Sequence, residues 1–410
     1  MKHINLGCSG GETKHIGGVG FKGEAPQDSR LDQLARMYDV KAVTLTVGAN
    51  DMAWAEVVKD CIASKWLLQG PCRESKEGQT KNAIGSIQPR LLESIYDITN
   101  TMRRAGYVNG SYKLIVQSYI SYIAPSAELI VPPPGGPFGD CDDFHPSDAD
   151  WFRTNLVPRI NGALLSAVKT ARKSSDPDYM GLNIQYLDRY LAFKGHELCS
   201  KKTARAHDAP VSMETAEWAV QLNYVGGTNR TVESFHPNYY GQLALGRCLE
   251  KLYNTPGTGD YKCENTAGAG GVNMSLTPFQ TPHGSNYMHS EDHLNGGQCK
   301  YSAPSGTTRL CMQTNGNLVV QTGNSFATQT WSSNTFMTGI SAWLRDGHLY
   351  VINGANSAVY WNSNWGNYES YLKVQDNGKV IIYTMYGHPL WMTPNPPNVP
   401  CQDGCGNDTF

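Results

Sequence analysis

The stretch Gln313-Thr314-Asn315-Gly316-Asn317-Leu318-Val319 is the first of three similar segments. It returns at 344–350 and at 375–381, so the segments recur at a constant interval. A fixed period of this kind indicates one structural unit used three times. Polar and apolar residues alternate around a turn that contains Gly, which predicts short antiparallel strands. One tryptophan recurs per unit and is expected to fill a shared axial core: Trp331, Trp361 and Trp391.

The period, the turn and the recurring tryptophan together resemble the bulb-type (mannose-binding, B-lectin) lectin family. The resemblance implies an all-β threefold β-prism over residues 286–393. Each repeat of that family carries the pattern Gln-x-Asp-x-Asn-x-Val-x-Tyr, whose polar side chains hydrogen-bond one sugar. Period-two spacing places such side chains on one face of a strand. The implied partner is therefore a carbohydrate.

The three repeats keep this pattern to different degrees. The second repeat matches only at Asp346, because Leu344 and Ile352 stand where the family has Gln and Tyr. A degenerate, purely structural prism stays open as the alternative. If any repeat binds sugar, we expect the first or the third. The candidate carbohydrate-binding residues are Gln313, Asn315, Asn317 and Gln321 in the first repeat, and Gln375, Asn377 and Tyr383 in the third.

Two segments of the upstream half carry candidate catalytic residues. The segment Gly48-Ala49-Asn50-Asp51 closes the apolar run 43–47, which is typical of a buried strand. An Asn at such a strand end can aim its amide into a cleft as an oxyanion donor. The second segment, Glu233-Ser234-Phe235-His236-Pro237, places an acidic residue three positions before a His. A carboxylate or a backbone carbonyl can then fix the imidazole tautomer and leave the other nitrogen as general base.

With Gly7-Cys8-Ser9-Gly10-Gly11, these segments resemble the SGNH (GDSL-type) hydrolase family of esterases and lipases, over about 1–252. The resemblance implies an α/β three-layer domain that performs acyl transfer on an ester-bearing lipid or glycan. It implies His236 as base, oriented by Glu233 or by a carbonyl, with the Gly10 N–H and Asn50 stabilising the oxyanion. No cofactor and no metal enters this mechanism.

The nucleophile of that family lies in a Gly-Asp-Ser block, and no such triplet occurs in this chain. The resemblance therefore implies that the domain is N-terminally truncated, with its first strand missing. Ser9 is a poor substitute, because the interval from Gly10 to Asn50 fits the distance between the family's second and third blocks. Two functions stay open. One is a secreted ester hydrolase with a lectin-like module, if the full-length protein supplies the Ser. The other is a catalytically inactive scaffold that acts as a carbohydrate-binding lectin-like protein.

Composition restricts the partners and the compartment. Charged residues make up 17% of the chain, below the norm of about 25%. A formal net charge of −2 gives no indication of a nucleic-acid partner. No apolar run reaches the ~18 residues of a transmembrane helix. Eleven cysteines without metal-binding spacing indicate an oxidising, secreted location.

The SGNH resemblance also implies two disulfides, Cys61–Cys72 and Cys141–Cys199, with Cys8 left over. The pairing of the six remaining cysteines stays open. We predict an SGNH hydrolase-like domain at 1–253, a linker at 254–285, the lectin-like prism at 286–393, and a Cys-containing tail at 394–410. Within the first domain, strands are predicted at 42–47, 113–123 and 181–187, and helices at 29–38, 90–105, 148–172 and 241–253.

Overall fold

The chain divides into two compact units, Met1–Gln280 and Thr281–Phe410. The computed structural model describes residues 2–130, 141, 144–204, 211–221, 234–266, 273–354, 357–363 and 367–393. The predicted tail at 394–410 and the candidate residue Glu233 lie outside this set.

A five-stranded sheet forms the centre of the first unit. Its strands run in the order β1 (Ala42–Leu45), β2 (Lys113–Gln117), β3 (Ile184–Asp188), β4 (Gly259–Glu264) and β5 (Ser275–Pro278). The first four are parallel, and β5 runs antiparallel to β4. Strand β3 is buried throughout, whereas most of β1, at the sheet edge, is not. A mostly parallel sheet in a unit that also contains helices fits the predicted α/β class. The SGNH assignment stays a prediction.

Seven α-helices are described in this unit. Residues Phe152–Leu156 form a π-helical turn that joins α5 to α6. Helix α4 contains Pro89 in its interior, and the predicted helix at 90–105 is only its second half. Proline removes a backbone hydrogen bond inside a helix, so it reads from sequence as a boundary. The helices are α1 (Lys14–Gly17), α2 (Gln27–Met37), α3 (Trp54–Trp66), α4 (Arg73–Arg104), α5 (Pro146–Trp151), α6 (Val157–Arg172) and α7 (Tyr239–Tyr253).

The segment 254–285 is not the linker that the sequence predicts. It supplies β4 and β5 to the sheet. Cys263 of β4 is fully buried and forms a disulfide with Cys248 of α7. Strands of six and four residues show little periodicity among Gly, Thr and Asn, which explains the wrong prediction.

The described residues of the second unit form three four-stranded antiparallel sheets. Each sheet takes three consecutive strands from one repeat and a fourth, short strand from 287–301. These antiparallel sheets fit a β lectin-like domain. The sheets are β8 (Cys299–Tyr301) with β9 (Thr308–Met312), β10 (Leu318–Thr322) and β11 (Thr328–Ser332); β7 (His293–Leu294) with β12 (Ile340–Arg345), β13 (His348–Asn353) and β14 (Val359–Asn362); and β6 (Tyr287–Met288) with β15 (Tyr371–Val374), β16 (Val380–Tyr383) and β17 (Pro389–Met392).

Equivalent irregularities recur in the three sheets. The register shifts after Val320, after Val351 and after Ile382, which are equally spaced along the sequence. The turn glycine of the first repeat, Gly316, has φ 88°, and a Cβ there would collide with the carbonyl of Met337. Both the positive φ and the close approach require Gly at this position.

The recurring tryptophans meet on the axis, as predicted. The ring centroids of Trp331 and Trp361 are 5.1 Å apart, and each lies 5.8 Å from the ring of Trp391. All three pack against a core of buried aliphatic residues drawn from the three sheets.

The predicted disulfides Cys61–Cys72 and Cys141–Cys199 are both confirmed. Among the described cysteines, Cys8 has no disulfide partner, as the SGNH resemblance implies. The other disulfides in the described residues are Cys248–Cys263 and Cys299–Cys311. Among the described helices, none has the length and hydropathy to span a membrane.

Candidate functional sites

Gly10 and Asn50 are brought together at one end of the first unit's sheet. Asn50 follows β1, and its side-chain amide donates to the carbonyl of Gly11 at 2.9 Å. Gly10 has φ 85°, which suits the tight turn closed by a Gly11 N–H bond to the Cys8 carbonyl. Within the part of the chain that is described, the Gly10 N–H has no hydrogen-bond partner.

The carboxylate of Asp51 holds the Asn50 turn and the Gly10 loop together. Asp51 accepts hydrogen bonds from the Thr13 backbone N–H at 2.9 Å and from its hydroxyl at 2.5 Å. The Asp51 side chain is only 1% exposed, so both bonds are shielded from water. Charge-assisted hydrogen bonds of this kind are about twice as strong as neutral ones. The turn with Asn50 and the loop with Gly10 therefore form one rigid assembly.

His236 is exposed, and a backbone carbonyl holds its ring. Its Nδ1 lies 3.0 Å from the oxygen of Ser234. A carbonyl only accepts, so Nδ1 carries the proton and neutral His236 presents an unprotonated Nε2. No partner for Nε2 is found among the described residues. This geometry suits a general base without any help from Glu233.

Aromatic contacts link the Asn50 and His236 segments across the carboxyl ends of β1 and β2. The Tyr119 hydroxyl accepts the Ala49 N–H at 3.0 Å, and the Tyr119 ring stacks with Trp54. The Trp54 indole N–H donates to the Tyr122 hydroxyl, and the ring of Tyr122 contacts Phe235, next to His236. Burial raises the pKa of Tyr119 to about 12, so its phenol stays protonated. Ligands of open α/β sheets bind at this edge.

No nucleophile completes the arrangement in the described part of the chain. Ser9 lies on the exposed loop beside Gly10, where its carbonyl accepts from Lys22, and no bond joins its hydroxyl to His236. His196 is fully buried, stacked on Trp218 and bonded at Nδ1 to the carbonyl of Ala216, which are structural contacts.

The first repeat of the second unit carries a cavity of about 410 Å³. This volume lies in the ~300–1,000 Å³ range of small-molecule sites. Three of the four residues predicted for the first repeat, Gln313, Asn315 and Gln321, line it. The full lining is Gly297, Cys299, Arg309, Cys311, Met312, Gln313, Thr314, Asn315 and Gln321.

Asn317, the fourth predicted residue of this repeat, does not line the cavity. Its side chain is buried, and its oxygen accepts from the hydroxyls of Ser332 and Ser333 at 2.9 and 3.2 Å. These bonds tie the turn to the strand that carries Trp331. In this structure the Asn317 oxygen is therefore occupied by the protein itself.

Arg309 lines the cavity but does not belong to the set predicted from the sequence. It precedes the repeated turn, on β9, directly opposite Gln321 of β10. Its Nε donates to the Gln321 amide oxygen at 2.9 Å, and its guanidinium lies 4.3 Å from the ring centre of Phe326. Strand pairing could have revealed it, because residues opposite each other share a face.

The candidate residues of the third repeat bond to one another. The Gln375 amide donates to the Tyr383 hydroxyl at 2.5 Å, and the Tyr383 ring stacks on Tyr371 at 5.5 Å. The Asn377 oxygen accepts the backbone N–H of Lys379 at 3.1 Å. The Lys379 side chain is fully buried, so it presents no cation to solvent.

The face of the second repeat is aromatic. Trp343 stacks on His293 with ring centroids 4.3 Å apart and pairs across the strand with Tyr350. Leu344 is fully buried in the core. Arg345 lies over the Trp343 ring, and its guanidinium pairs with Glu291.

Solved structures similar to this chain are lectins, each over about a quarter of its length. A lectin from Allium sativum is 33% identical over 24% of this chain and 92% of that one, with a TM-score of 0.21. Monomeric monocot mannose-binding lectins from Gastrodia elata are 23% identical over 27% and 99% of the two chains, with a TM-score of 0.24. A lectin from Remusatia vivipara is 26% identical over 25% and 92%, with a TM-score of 0.21. No family model and no curated protein matches the chain.

Proposed function

We propose that this protein binds carbohydrate through its second unit, with the first repeat as the principal site. The observation that carries this proposal is the cavity of about 410 Å³, whose lining includes the amide-bearing residues Gln313, Asn315 and Gln321. An amide offers both donors and an acceptor, the combination that the hydroxyls of a sugar require. The lectin resemblance of the sequence repeats supports the same ligand class.

The third repeat is the weaker candidate. Its Gln375 and Tyr383 already satisfy each other, so a sugar would have to break that bond before using either group. A neutral hydrogen bond contributes only about 1 kcal/mol net. The exchange therefore leaves little gain for the third repeat. In the first repeat the Asn315 oxygen accepts the Asn317 N–H at 3.0 Å, as Asn377 accepts that of Lys379, but the Gln313 side chain lines an open cavity and has no partner among the described residues.

Affinity for a single sugar is expected to be low. A few neutral hydrogen bonds of about 1 kcal/mol each give dissociation constants near the millimolar range. Multivalent glycans would bind more tightly, because linked weak sites raise the effective concentration.

Retention on mannan-agarose and binding to a glycan array, with the full chain, test the proposal. Gln313→Ala should weaken retention clearly and Gln375→Ala only slightly. The matched control is Gln69→Ala, which removes an exposed amide from the first unit. No binding to any glycan, or equal loss with Gln69→Ala, would contradict the proposal.

A second candidate function is ester hydrolysis by the first unit. The observation that favours it is the pair formed by the Gly10–Asn50 assembly and His236, whose Nδ1 is held by the Ser234 carbonyl. The substrate would be an ester-bearing lipid or glycan. A triad without its nucleophile retains only residual catalysis from the oxyanion hole. Because this sequence contains no Gly-Asp-Ser triplet, we propose a catalytically inactive scaffold for the first unit, with ester hydrolysis as the alternative.

Turnover of p-nitrophenyl esters tests this second candidate. We expect little or no hydrolysis by the wild-type chain, and no further loss with Ser9→Ala. Robust turnover that Ser9→Ala and His236→Ala both abolish would identify Ser9 as a nucleophile and restore an enzymatic function.

A further inference from the structure

The guanidinium of Arg309 is oriented by two contacts but neutralised by none. Its Nε donates to Gln321, and its plane is held near the ring of Phe326. No carboxylate pairs with it, and neither Nη atom has a hydrogen-bond partner among the described residues. The Nη1–Nη2 edge therefore remains available to a ligand of the cavity that Arg309 lines.

The surrounding sequence contains no negative charge. From 293 to 345 there is no Asp or Glu, while Lys300, Arg309 and Arg345 are present. Asn315 is a neutral amide where the lectin pattern has Asp. An Asp at position 315 would lie in the same cavity lining as Arg309 and attract its guanidinium. Because Asn stands there instead, no carboxylate at that position competes with a ligand for Arg309.

The other two repeats lack this feature. The residue opposite the last position of the pattern is Arg309 in the first repeat, Ser341 in the second and Tyr371 in the third. The second repeat does carry Arg345, but Glu291 neutralises it at 3.3 Å. A cation opposite the last position of the pattern therefore belongs to the first repeat alone among the described repeats, since Lys373 of the third repeat lies over the ring of Tyr287 and opposite Ile381.

We propose that the first-repeat cavity selects a sugar that carries an oxyanion, a hexuronate carboxylate or a sulfate ester, bound by the Nη1–Nη2 edge of Arg309. This inference rests on the proposed carbohydrate function and names its ligand class. Two parallel N–H donors match two oxygens of either group. Gln313 and Asn315 then bind ring hydroxyls, and the Gln321 bond to Nε keeps the guanidinium in place.

The test compares three ligands with the full chain: methyl glucuronide, glucose 6-sulfate and the neutral methyl glucoside. Ligand-observed NMR titration suits millimolar binding. We expect the better anionic ligand to bind about tenfold more tightly than the neutral one. A hydrogen bond to a charged group contributes more free energy than a neutral one, and the difference corresponds to about this factor in affinity. The preference should shrink between about 0.05 and 0.5 M salt, because partly exposed charges are screened. The two anionic arms show whether carboxylate or sulfate is preferred.

Substitutions of Arg309 and Lys300 distinguish the effect of the Arg309 charge on binding from a loss of folding. Arg309→Gln should bring the anionic ligand to the level of the neutral one, and Arg309→Lys should retain part of the preference. The matched control is Lys300→Gln, which removes the same charge from the neighbouring strand β8. Lys300 lies opposite Leu310, a buried core residue, and is not among the residues that line the cavity. A thermal melt of each variant verifies folding.

Three outcomes would overturn the inference. Equal affinity for neutral and anionic ligands would contradict it while leaving the carbohydrate function intact. An anionic preference that survives Arg309→Gln or disappears with Lys300→Gln would place the recognition elsewhere. Absence of binding to all three ligands and to mannan would contradict both proposals together.

Discussion

The two units assemble their candidate sites from the chain in opposite ways. In the first unit, Gly10, Asn50 and His236 come from segments that are far apart in the sequence, and a parallel sheet brings those segments to one edge. In the second unit, one antiparallel sheet at 299–332 supplies the whole cavity together with Gly297. A site contained in one repeat can change without disturbing the other repeats. A site spread over parallel strands depends on the packing of the entire unit.

This difference predicts that damage to the second unit's core leaves the first unit intact. Trp361→Ala should destabilise the second unit by about 3 kcal/mol, at the low end of the ~3–5 kcal/mol for a Trp truncation, because the ring is only partly buried. Differential scanning calorimetry of the full chain should show two transitions, of which only one shifts. A shift of both transitions by the same amount would refute independent unfolding.

Disulfides of similar loop length should stabilise both units by similar amounts but affect binding differently. Cys248–Cys263 and Cys299–Cys311 span 15 and 12 residues, and closing such loops stabilises by about 3 kcal/mol. The paired Cys→Ser variants should each lower one calorimetric transition. Only the Cys299/Cys311 variant should weaken glycan retention, because these two residues line the cavity. Equal effects on retention would contradict the assignment of that cavity.

A smaller effect is expected at the buried carboxylate of Asp51, which accepts hydrogen bonds from Thr13 and pairs with Arg90 at 3.8 Å. Asp51→Asn weakens the bonds from Thr13 and should cost about 1.5–3 kcal/mol, the contribution of hydrogen bonds to a buried charge. The matched control is Asp39→Asn, at an exposed carboxylate that pairs only with Lys41. We expect the first calorimetric transition to fall with Asp51→Asn and to stay within error with Asp39→Asn. No difference between the two variants would show that the Gly10 and Asn50 segments are held by other contacts.

The predictability of the two units follows from the same difference. In the second unit, a constant repeat interval and one Trp per repeat predicted the sheets and the axial core, because each repeat folds locally. In the first unit, apolar runs predicted β1, β2 and β3, but β4 and β5 lack periodicity and were assigned to a linker. Arg309 was missed because its relation to Gln321 depends on strand pairing and not on sequence spacing. Likewise, the occupation of the Asn317 oxygen by Ser332 and Ser333 depends on the pairing of β10 with β11, which sequence spacing does not display.

The smallest predicted effect concerns a buried carboxyl of the first unit, that of Glu197. Burial raises the pKa of Glu197, and the nearby guanidinium of Arg153 partly opposes the shift. The Glu197 carboxylate also accepts the Gly195 N–H at 2.7 Å. A folded-state pKa above the ordinary 4.5 means that the folded protein binds this proton more readily than the unfolded chain does. The stabilising contribution of this group is therefore complete below pH 4.5 and is lost as the pH rises through the folded-state pKa.

Glu197→Gln removes this titration. We expect the wild-type melting temperature of the first unit to fall, relative to that of the variant, as the pH is raised from 4.5 towards neutrality. The diagnostic quantity is the slope, against pH, of the difference between the two melting temperatures. Gln also loses the ion pair with Arg153, and this loss shifts the variant's melting temperature at every pH where Glu197 is charged. Glu56→Gln, at an exposed position of α3, controls for the loss of a negative charge. A difference curve that rises instead of falling would mean that the attraction of Arg153 outweighs burial, and that Glu197 is a stabilising anion at neutral pH.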